Sequence, residues 1–485
     1  MNRLKELLKN IHVKDIIGMS DRSIHALCFD SRKVGEEDLF VAVRGTMVDG
    51  HDYIDKAIAS GATAIVCEQL PANRKKGVTY IVVDDASYTL GLLASRFFDF
   101  PSSKLKLVGI TGTNGKTTVA TLLFKLFRAL GYRVGLLSTV QNQIDDEVVA
   151  ATHTTPDPIE LNGLLKEMVE KGCDFCFMEV SSHAIVQNRT AGLNFVGGAF
   201  TNLTHDHLDF HKTFDAYIKA KKAFFDSLPS SAFALTNVDD RNGMVMLQNT
   251  KAHRKTYALK NIADFKGKIV ESHFDGMLLQ IDGKEVWVKL TGLFNAYNIL
   301  AVYGVAILLE QDSFKVLTAL SKLSGAEGRF DVLVSPEGVY AVVDYAHTPD
   351  AVKNVLETIN TLRKGIGEHL ITVLGCGGDR DKSKRPEMAE VAAQLSDKVI
   401  ITSDNPRSED PHQIIRDMEE GIPADKKRNV FSIADRNDAI KAAFHLAQRG
   451  DIILVAGKGH EKYQEIKGVK HPFDDKEILK GLFNQ

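Results

Sequence analysis

Residues 105–118, LKLVGITGTNGKTT, combine types and spacing suited to binding a phosphate chain. The apolar run from Leu105 to Ile110 reads as a short buried parallel strand. A glycine-rich turn of Gly112, Thr113, Asn114 and Gly115 follows, and then Lys116, Thr117 and Thr118. A helical pattern runs from Val119 to Leu130 and stops at Gly131. Strand, glycine loop, Lys-Thr and helix form a P-loop arrangement. Glycines let the backbone curl so that its N–H groups face a phosphate, and the helix N-terminus adds partial positive charge there. Lys116 can reach the terminal phosphates, and the Thr117 hydroxyl can ligate magnesium. The spacing departs from the usual G-x-x-x-x-G-K-[ST], because five residues separate Gly109 from Gly115 and Gly112 sits closer in.

Other groups of residues suit the same chemistry. Glu179 ends the apolar run CDFCFMEV and precedes Ser181-Ser182-His183. A carboxylate at the C-terminal end of a buried strand, in the domain of a P-loop, commonly holds magnesium; the plain alternative is a surface acid. AFTNLTHDHLDFH (199–211) packs three histidines and two aspartates into seven residues. With no cysteine near, this set suits manganese or a polar magnesium site better than structural zinc; otherwise it is a polar loop before a helix. The helix expected over 214–228 carries Lys219, Lys221 and Lys222, which by themselves read as a solvated face. Asn295 and Asn298, three apart in GLFNAYNILAVYGVA, share one helix face and are weak candidates for a base or ribose contact. The polar turn Phe29-Asp30-Ser31-Arg32 feeds a strand, as a surface loop or as a grip on a substrate handle.

These groups must be positioned by an α/β framework. At about 150 residues per domain, 485 residues suggest roughly three domains. Residues 1–100 read as a small α/β unit with strands at 39–43, 63–67 and 80–84 and a helix at 53–60. Pro101-Ser102-Ser103 reads as a linker into the P-loop domain, 101–331, which should hold a mostly parallel sheet, a strand at 132–139, a Thr/Pro loop at 151–158 and a helix at 159–171. The loop GAEGRF, with Arg329, closes it. In 332–485 an α/β alternation restarts. Four strands there end in polar loops: at Asp344 and His347, at the Gly-Gly turn before Arg380, at Asp404-Asn405-Pro406-Arg407, and at Gly457 to Glu461. Ligands of open α/β sheets bind beyond strand C-termini, so four such loops on one edge point to a binding face.

Composition narrows the function classes. The chain is 44% hydrophobic and 25% charged, with a net charge of -3 that offers no case for a nucleic-acid partner. No apolar stretch reaches the roughly 20 residues that span a bilayer. The N-terminus, MNRLKELLKN, reads as an amphipathic helix start and not as a signal peptide. Five cysteines in such a chain are no disulfide framework, and Cys173 and Cys176 read as core residues. A cytoplasmic monomer without a nucleic-acid or membrane partner is expected.

TGTNGKTT, EVSSH, TNLTHDHLDFH, GLFNAYNILA, GRF, DYAHTP and DNPR occur in this order over essentially the whole chain. Together they resemble the Mur ligases of peptidoglycan synthesis, above all those that add the third peptide residue. The resemblance implies a UDP-substrate domain, a central ATPase, and a C-terminal Rossmann-like domain for the incoming amino acid. It implies that ATP phosphorylates a carboxylate of UDP-N-acetylmuramoyl-L-alanyl-D-glutamate, and that an amine then displaces phosphate from the acyl phosphate. Magnesium and cations would neutralise the charge that gathers. Carried onto this chain, Lys116 contacts the ATP phosphates, Thr117 and Glu179 ligate one magnesium, and His207 belongs to a second metal site. Lys221, by its spacing from Tyr217, matches the lysine that carries a carbamate in the family, which leaves only Lys219 and Lys222 to the solvated face. Asn295, Arg329, Asp344 and His347 resemble the remaining ATP contacts. The nucleotide-sugar substrate falls to Ser31, Thr46, Thr154, Thr155, Ser181, Gln187 and Arg189, with Phe29, Met47 and Val48 adding backbone or apolar contacts. His153 stands where some relatives carry asparagine, and the stretch around Thr46 varies among them.

The loop Asp404-Asn405-Pro406-Arg407 resembles the version that selects meso-diaminopimelate, and physical chemistry agrees. Diaminopimelate ends its side chain with an extra carboxylate, which a guanidinium pairs in bidentate fashion, whereas Arg407 would repel the ammonium of lysine. By resemblance Arg380, Gly457 and Glu461 also hold the amino acid, with Glu461 a partner for the distal ammonium. Competing readings are the same reaction with L-lysine, the alanyl-alanine-adding Mur ligase, folylpolyglutamate synthase, and, from another class, a P-loop switch or motor. The last would hydrolyse ATP without an acceptor amine. A pure interaction protein would not need Lys116, Thr117, Glu179 and His207 together.

Overall fold

A computed structural model describes residues 2–45, 48–149, 154–204, 208–363 and 367–484, without the side chains of 208 and 209. Thr46, His153 and His207 therefore lie outside the described residues. Three sheets of mixed α/β architecture follow one another along the chain. The first has five strands in the order Asp15–Ile17, Thr79–Val82, Ala64–Cys67, Leu39–Val41, Leu27–Cys28, parallel except for the first. Leu39 and Val41 face helix Ala86–Phe97, while Phe40 faces helix Ile54–Ala59. A strand covered on both faces must be apolar throughout, which is why LFV does not alternate with polar residues.

The central sheet has eleven strands, with Lys106–Thr111 between Phe175–Glu179 and Gly197–Phe200. From Val134–Leu137 to Phe265–His273 its pairings are parallel, and antiparallel hairpins close both edges. The C-terminal sheet runs Asp331–Val334, Tyr340–Asp344, Ile452–Ala456, Leu370–Cys376, Lys398–Ser403, Val430–Ser432, and all but the first are parallel. The four polar loops of the last third therefore do share one sheet edge. Helices start where side-chain oxygens meet the first free N–H groups. Asp157 caps Pro158–Glu170, Thr213 caps Phe214–Asp226 and Thr348 caps Pro349–Leu362, and two of these helices open with proline.

Several boundaries differ from the sequence reading. The helix after the P-loop is Lys116–Ala129, so Lys116, Thr117 and Thr118 lie inside its first turn; the left-handed Gly115 lets the helix begin at once. The N-terminal helix is only Leu4–Leu7, pinned by the burial of both leucines. The stretch expected as a helix from 53 begins as the 3-10 turn Gly50–Tyr53. Pro101–Ser103 is a tight turn rather than an open linker: Pro101 and Ser102 are buried, and Ser102 Oγ accepts from Asn194 N at 3.0 Å. All five cysteines are free and buried, and burial pushes the Cys173 thiol up to about 11 and that of Cys176 well above its ordinary value. These are core residues, not reactive thiolates. Among the described residues no helix is long and apolar enough to cross a membrane.

One ion pair in the C-terminal core is wholly buried. Arg436 grips Asp475 through Nε and Nη2 at 2.8 and 2.7 Å, and Nη2 also donates to Ala456 O at 3.0 Å, at the end of a sheet strand. Cutting one partner of such a pair leaves an uncompensated buried charge, so Asp475→Ala should cost about 3–5 kcal/mol. The urea unfolding midpoint checks this, and a midpoint unmoved from wild type would refute it.

Candidate active site

One cavity of about 660 Å3 lies where the C-terminal ends of the central strands meet those of the C-terminal sheet. Its wall takes residues from 113–117, 139, 154–155, 179–189, 221, 329, 345–350, 377–387, 404–407 and 457–461. Most of the described residues carried over from the family resemblance therefore line one cavity; Phe29, Ser31, Val48, Gly112, Thr118, Asn295, Asp344 and Pro406 do not.

The glycine loop is built by close approach. Gly112 has φ +150°, and a Cβ there would stand 1.9 Å from Thr201 Oγ1; Gly115 has φ +86°, and a Cβ would stand 2.4 Å from Asn298 Oδ1. Only glycine fits either position. Thr113 N donates to Asn202 O at 2.8 Å and Asn114 N to Asn202 Oδ1 at 2.9 Å, so the TNL stretch after the neighbouring strand clamps the loop. Lys116 Nζ donates to the carbonyls of Gly112 and Thr113 at 3.0 and 2.8 Å. Lys221 Nζ donates to the same Gly112 carbonyl at 2.7 Å and lies 4.7 Å from the Tyr217 ring centroid. Lys221 is only 1% exposed, whereas Lys219 pairs with Asp215 in solvent and Lys222 with Asp226. Lys221 and Lys219 thus fall on the buried and solvated sides that were expected, whereas Lys222, expected on the solvated face, is half-buried.

Asn295 and Asn298 do not present their amides to the cavity. Asn295 donates to Thr291 O at 2.9 Å, and Asn298 donates to Asn295 Oδ1 at 3.2 Å while its own oxygen backs Gly115. Both are buried, so helix Leu293–Leu308 buttresses the P-loop.

A hard-cation site can be tested on its donors. Glu179 is fully buried and accepts from Thr139 N at 2.8 Å and Thr139 Oγ1 at 3.2 Å. Thr117 shares the cavity wall with it, and Arg329 Nη2 lies 3.4 Å from the Thr117 hydroxyl. No group of three or more His, Cys, Asp or Glu is assembled among the described residues. A hydroxyl and one carboxylate fit magnesium, which is typically held by one or two carboxylates, waters and substrate phosphates. Of the three histidines in 205–211, the described one, His211, bonds Ser182 Oγ at 2.9 Å and packs on Tyr217, a structural placement.

Beside Glu179 the residues carried over for the nucleotide sugar form a connected set. Thr155 Oγ1 donates to Glu179 O at 2.8 Å, Arg189 Nη1 donates to Thr155 O at 2.6 Å, and Arg189 Nε donates to Gln187 Oε1 at 2.9 Å. Ser181 caps the short helix Ser182–Val186, and Thr154 accepts from Thr139 Oγ1 at 3.0 Å. Ser31 is buried on the first sheet.

At the far end Arg407 adopts φ +51°. Its backbone is stitched to the hairpin strand Tyr463–Ile466 through Glu465 O, and its Nη1 donates to Gly378 O at 2.7 Å. Asn405 Nδ2 donates to Glu461 Oε2 at 2.7 Å, and Arg380 is exposed on the wall. Between the two ends Arg329 lies 4.5 Å from the Tyr345 ring centroid, and His460 packs on the same ring. Burial, with Arg329 as the next cause, holds the His460 imidazole down to about 3, so it is neutral. Burial pushes the Asp344 carboxyl up against the pull of Arg329; its oxygens accept from Phe330 N and Ala346 N, both at 2.7 Å, which makes it a turn-former behind the wall. His347 lines the wall and bonds Tyr345 O through Nδ1 at 2.8 Å.

Sequence reasoning missed Thr139, Tyr345, Asp350 and Lys458. Thr139 and Tyr345 sit just past strand C-termini, the signal that found Glu179, and that rule applied to every strand would have found them. Asp350 reaches the P-loop through Asn114 Nδ2 at 3.1 Å, a contact spanning 236 residues that no local pattern encodes. Gly115→Ala should weaken ATP binding by roughly tenfold or more, because a left-handed non-glycine residue costs about 1–2 kcal/mol before the clash with Asn298 is counted. Isothermal titration with ATP measures it; an unchanged affinity would mean the loop adapts freely.

Three family descriptions match the chain in order: "Mur ligase family, catalytic domain" over residues 23–98, "Mur ligase middle domain" over 110–306, and "Mur ligase, glutamate ligase domain" over 328–459. The chain is similar to the UDP-N-acetylmuramoyl-L-alanyl-D-glutamate–2,6-diaminopimelate ligase of Cytophaga hutchinsonii, at 57% identity over 99% of both chains. The ligase of that name from Phocaeicola vulgatus is also 57% identical over 99% of both. A solved structure titled as a ligase of that name superposes with TM-score 0.71 at 32% identity, covering 100% of this chain and 99% of that one. Identity this high, sustained from end to end over a cavity built on the expected motifs, means that the chain belongs to the Mur ligase family.

Proposed function

We propose that this chain is an ATP-dependent ligase that joins meso-2,6-diaminopimelate to UDP-N-acetylmuramoyl-L-alanyl-D-glutamate, forming the UDP-linked tripeptide of peptidoglycan synthesis. The observation that carries the reading is one cavity holding a lysine-lined P-loop at one end and the Asp404–Arg407 loop at the other. In this reading residues 1–100 take the UDP end of the substrate, 101–331 take ATP and 332–485 take the amino acid. The cytoplasmic location and monomeric state expected from the sequence are part of the proposal.

A carboxylate oxygen of the substrate attacks the γ-phosphorus of ATP; the bond to the β-γ bridging oxygen breaks and ADP leaves with the electron pair. The amine of diaminopimelate then attacks the acyl carbon, phosphate departs, and a proton is lost from nitrogen. Lys116 and the loop N–H groups hold the phosphates, and Lys221 brings a second nitrogen to the same carbonyl. Arg329 supplies charge beside Thr117. Thr117 and Glu179, with His207 and a carbamate on Lys221, would hold magnesium, which when bound neutralises charge on the transferring phosphoryl group. Thr154, Thr155, Ser181, Gln187 and Arg189 seat the nucleotide-sugar peptide, and Arg407 pairs the distal carboxylate of diaminopimelate.

Phosphate release from ATP, magnesium and UDP-N-acetylmuramoyl-L-alanyl-D-glutamate should require diaminopimelate and should not occur with L-lysine or with no amine. Equal release in all three would instead indicate an uncoupled ATPase. Arg407→Ala should raise the KM for diaminopimelate far more than that for ATP, since cutting a buried charge-assisted pair costs about 2–5 kcal/mol. An equal loss for both substrates would remove the selectivity role from the arginine.

A further inference from the structure

The two loops at the amino-acid end, 404–407 and 457–461, follow strands Lys398–Ser403 and Ile452–Ala456, which are not neighbours. Leu370–Cys376 lies between them, so no ladder hydrogen bond sets their spacing. Lys458 joins them instead. It is fully buried; its Nζ donates to Asn405 Oδ1 at 3.0 Å and lies 3.4 Å from Glu461 Oε2 and 3.8 Å from Asp404 Oδ1. The Asn405 oxygen also accepts from Glu465 N at 2.9 Å, while its Nδ2 donates to Glu461. An ammonium cannot accept a hydrogen bond, so Lys458 sets the direction of the Asn405 amide and, through it, the Glu461 carboxylate.

We propose that Lys458 is a positioning residue for the incoming amino acid: its ammonium locks Asn405 and Glu461 into one unit, so that the Glu461 carboxylate is held where the distal ammonium of the amino acid arrives.

The inference rests on assigning this end of the cavity to the amino acid, and its test separates the two. Lys458→Met and Lys458→Gln, the latter keeping a donor for Asn405, are compared with wild type and Arg407→Ala, all checked for folding by circular dichroism. Both Lys458 variants should raise the KM for diaminopimelate roughly tenfold or more, with kcat and the KM for ATP within about twofold. Inhibition by L-lysine, measured as a competitor, should weaken by a similar factor, because its distal ammonium meets the same carboxylate. If Lys458→Met does not fold, Lys458→Gln carries the test. An unchanged KM for diaminopimelate, or equal losses for diaminopimelate, lysine and ATP, would overturn the role of Lys458. If Arg407→Ala also left the KM for diaminopimelate unchanged, the assignment of the cavity end would fail instead.

Discussion

Two side-chain nitrogens, of Lys116 on one helix and Lys221 on another, donate to the single backbone carbonyl of Gly112. Much of the site depends on that convergence. It requires the carbonyl to turn inward, which the positive φ of Gly112 permits, and it requires helix Phe214–Asp226 to lie against the loop with Lys221 fully covered. Lys116, in the first turn of its helix beside curled backbone, puts positive charge where a polyphosphate can be held. The same low-dielectric surroundings that make buried ammonium groups costly make them effective once an anion arrives.

The parallel sheets explain why this convergence can be used. Because strands Lys106–Thr111, Phe175–Glu179 and Gly197–Phe200 run the same way, the P-loop, Glu179 and the TNL clamp emerge on one edge. The C-terminal sheet repeats the device, and the two edges face each other across the cavity. Asn114 bonds Asp350, Arg329 stands beside Thr117, and Phe274 stacks on Tyr340 across the junction. The first two tie the glycine loop and the helical turn after it to residues that flank the strands of the other sheet.

The Asp404–Arg407 end of the cavity is held by a different logic, a buried polar network in place of a glycine loop. Asn405, Lys458, Glu461 and the hairpin beginning at Tyr463 share hydrogen bonds so that each fixes another's orientation. Beneath it the Arg436–Asp475 pair holds the end of strand Ile452–Ala456. Buried networks whose members share hydrogen bonds in this way are rigid.

The sequence by itself determined the elements whose signals are local. Apolar runs ending in polar residues marked the strands, the glycine loop before Lys116 marked the strand–loop–helix turn, and the ordered motifs marked the Mur ligase family. Arg407 stood out as a guanidinium near a strand end, and the structure adds its bond to Gly378 O and its neighbour Glu465. What the tertiary structure decided were choices between chemically equal residues. It buried Lys221, left Lys219 paired with Asp215 in solvent and half-buried Lys222 against Asp226, and it turned Asn295 and Asn298 into a buttress for Gly115. It likewise set Asp344 behind the wall as a turn-former and brought Lys458 to Asn405. In each case the deciding quantity is burial or a contact across tens to hundreds of residues. Helical and strand periodicities report which face of an element a residue occupies, and only packing settles what that face meets.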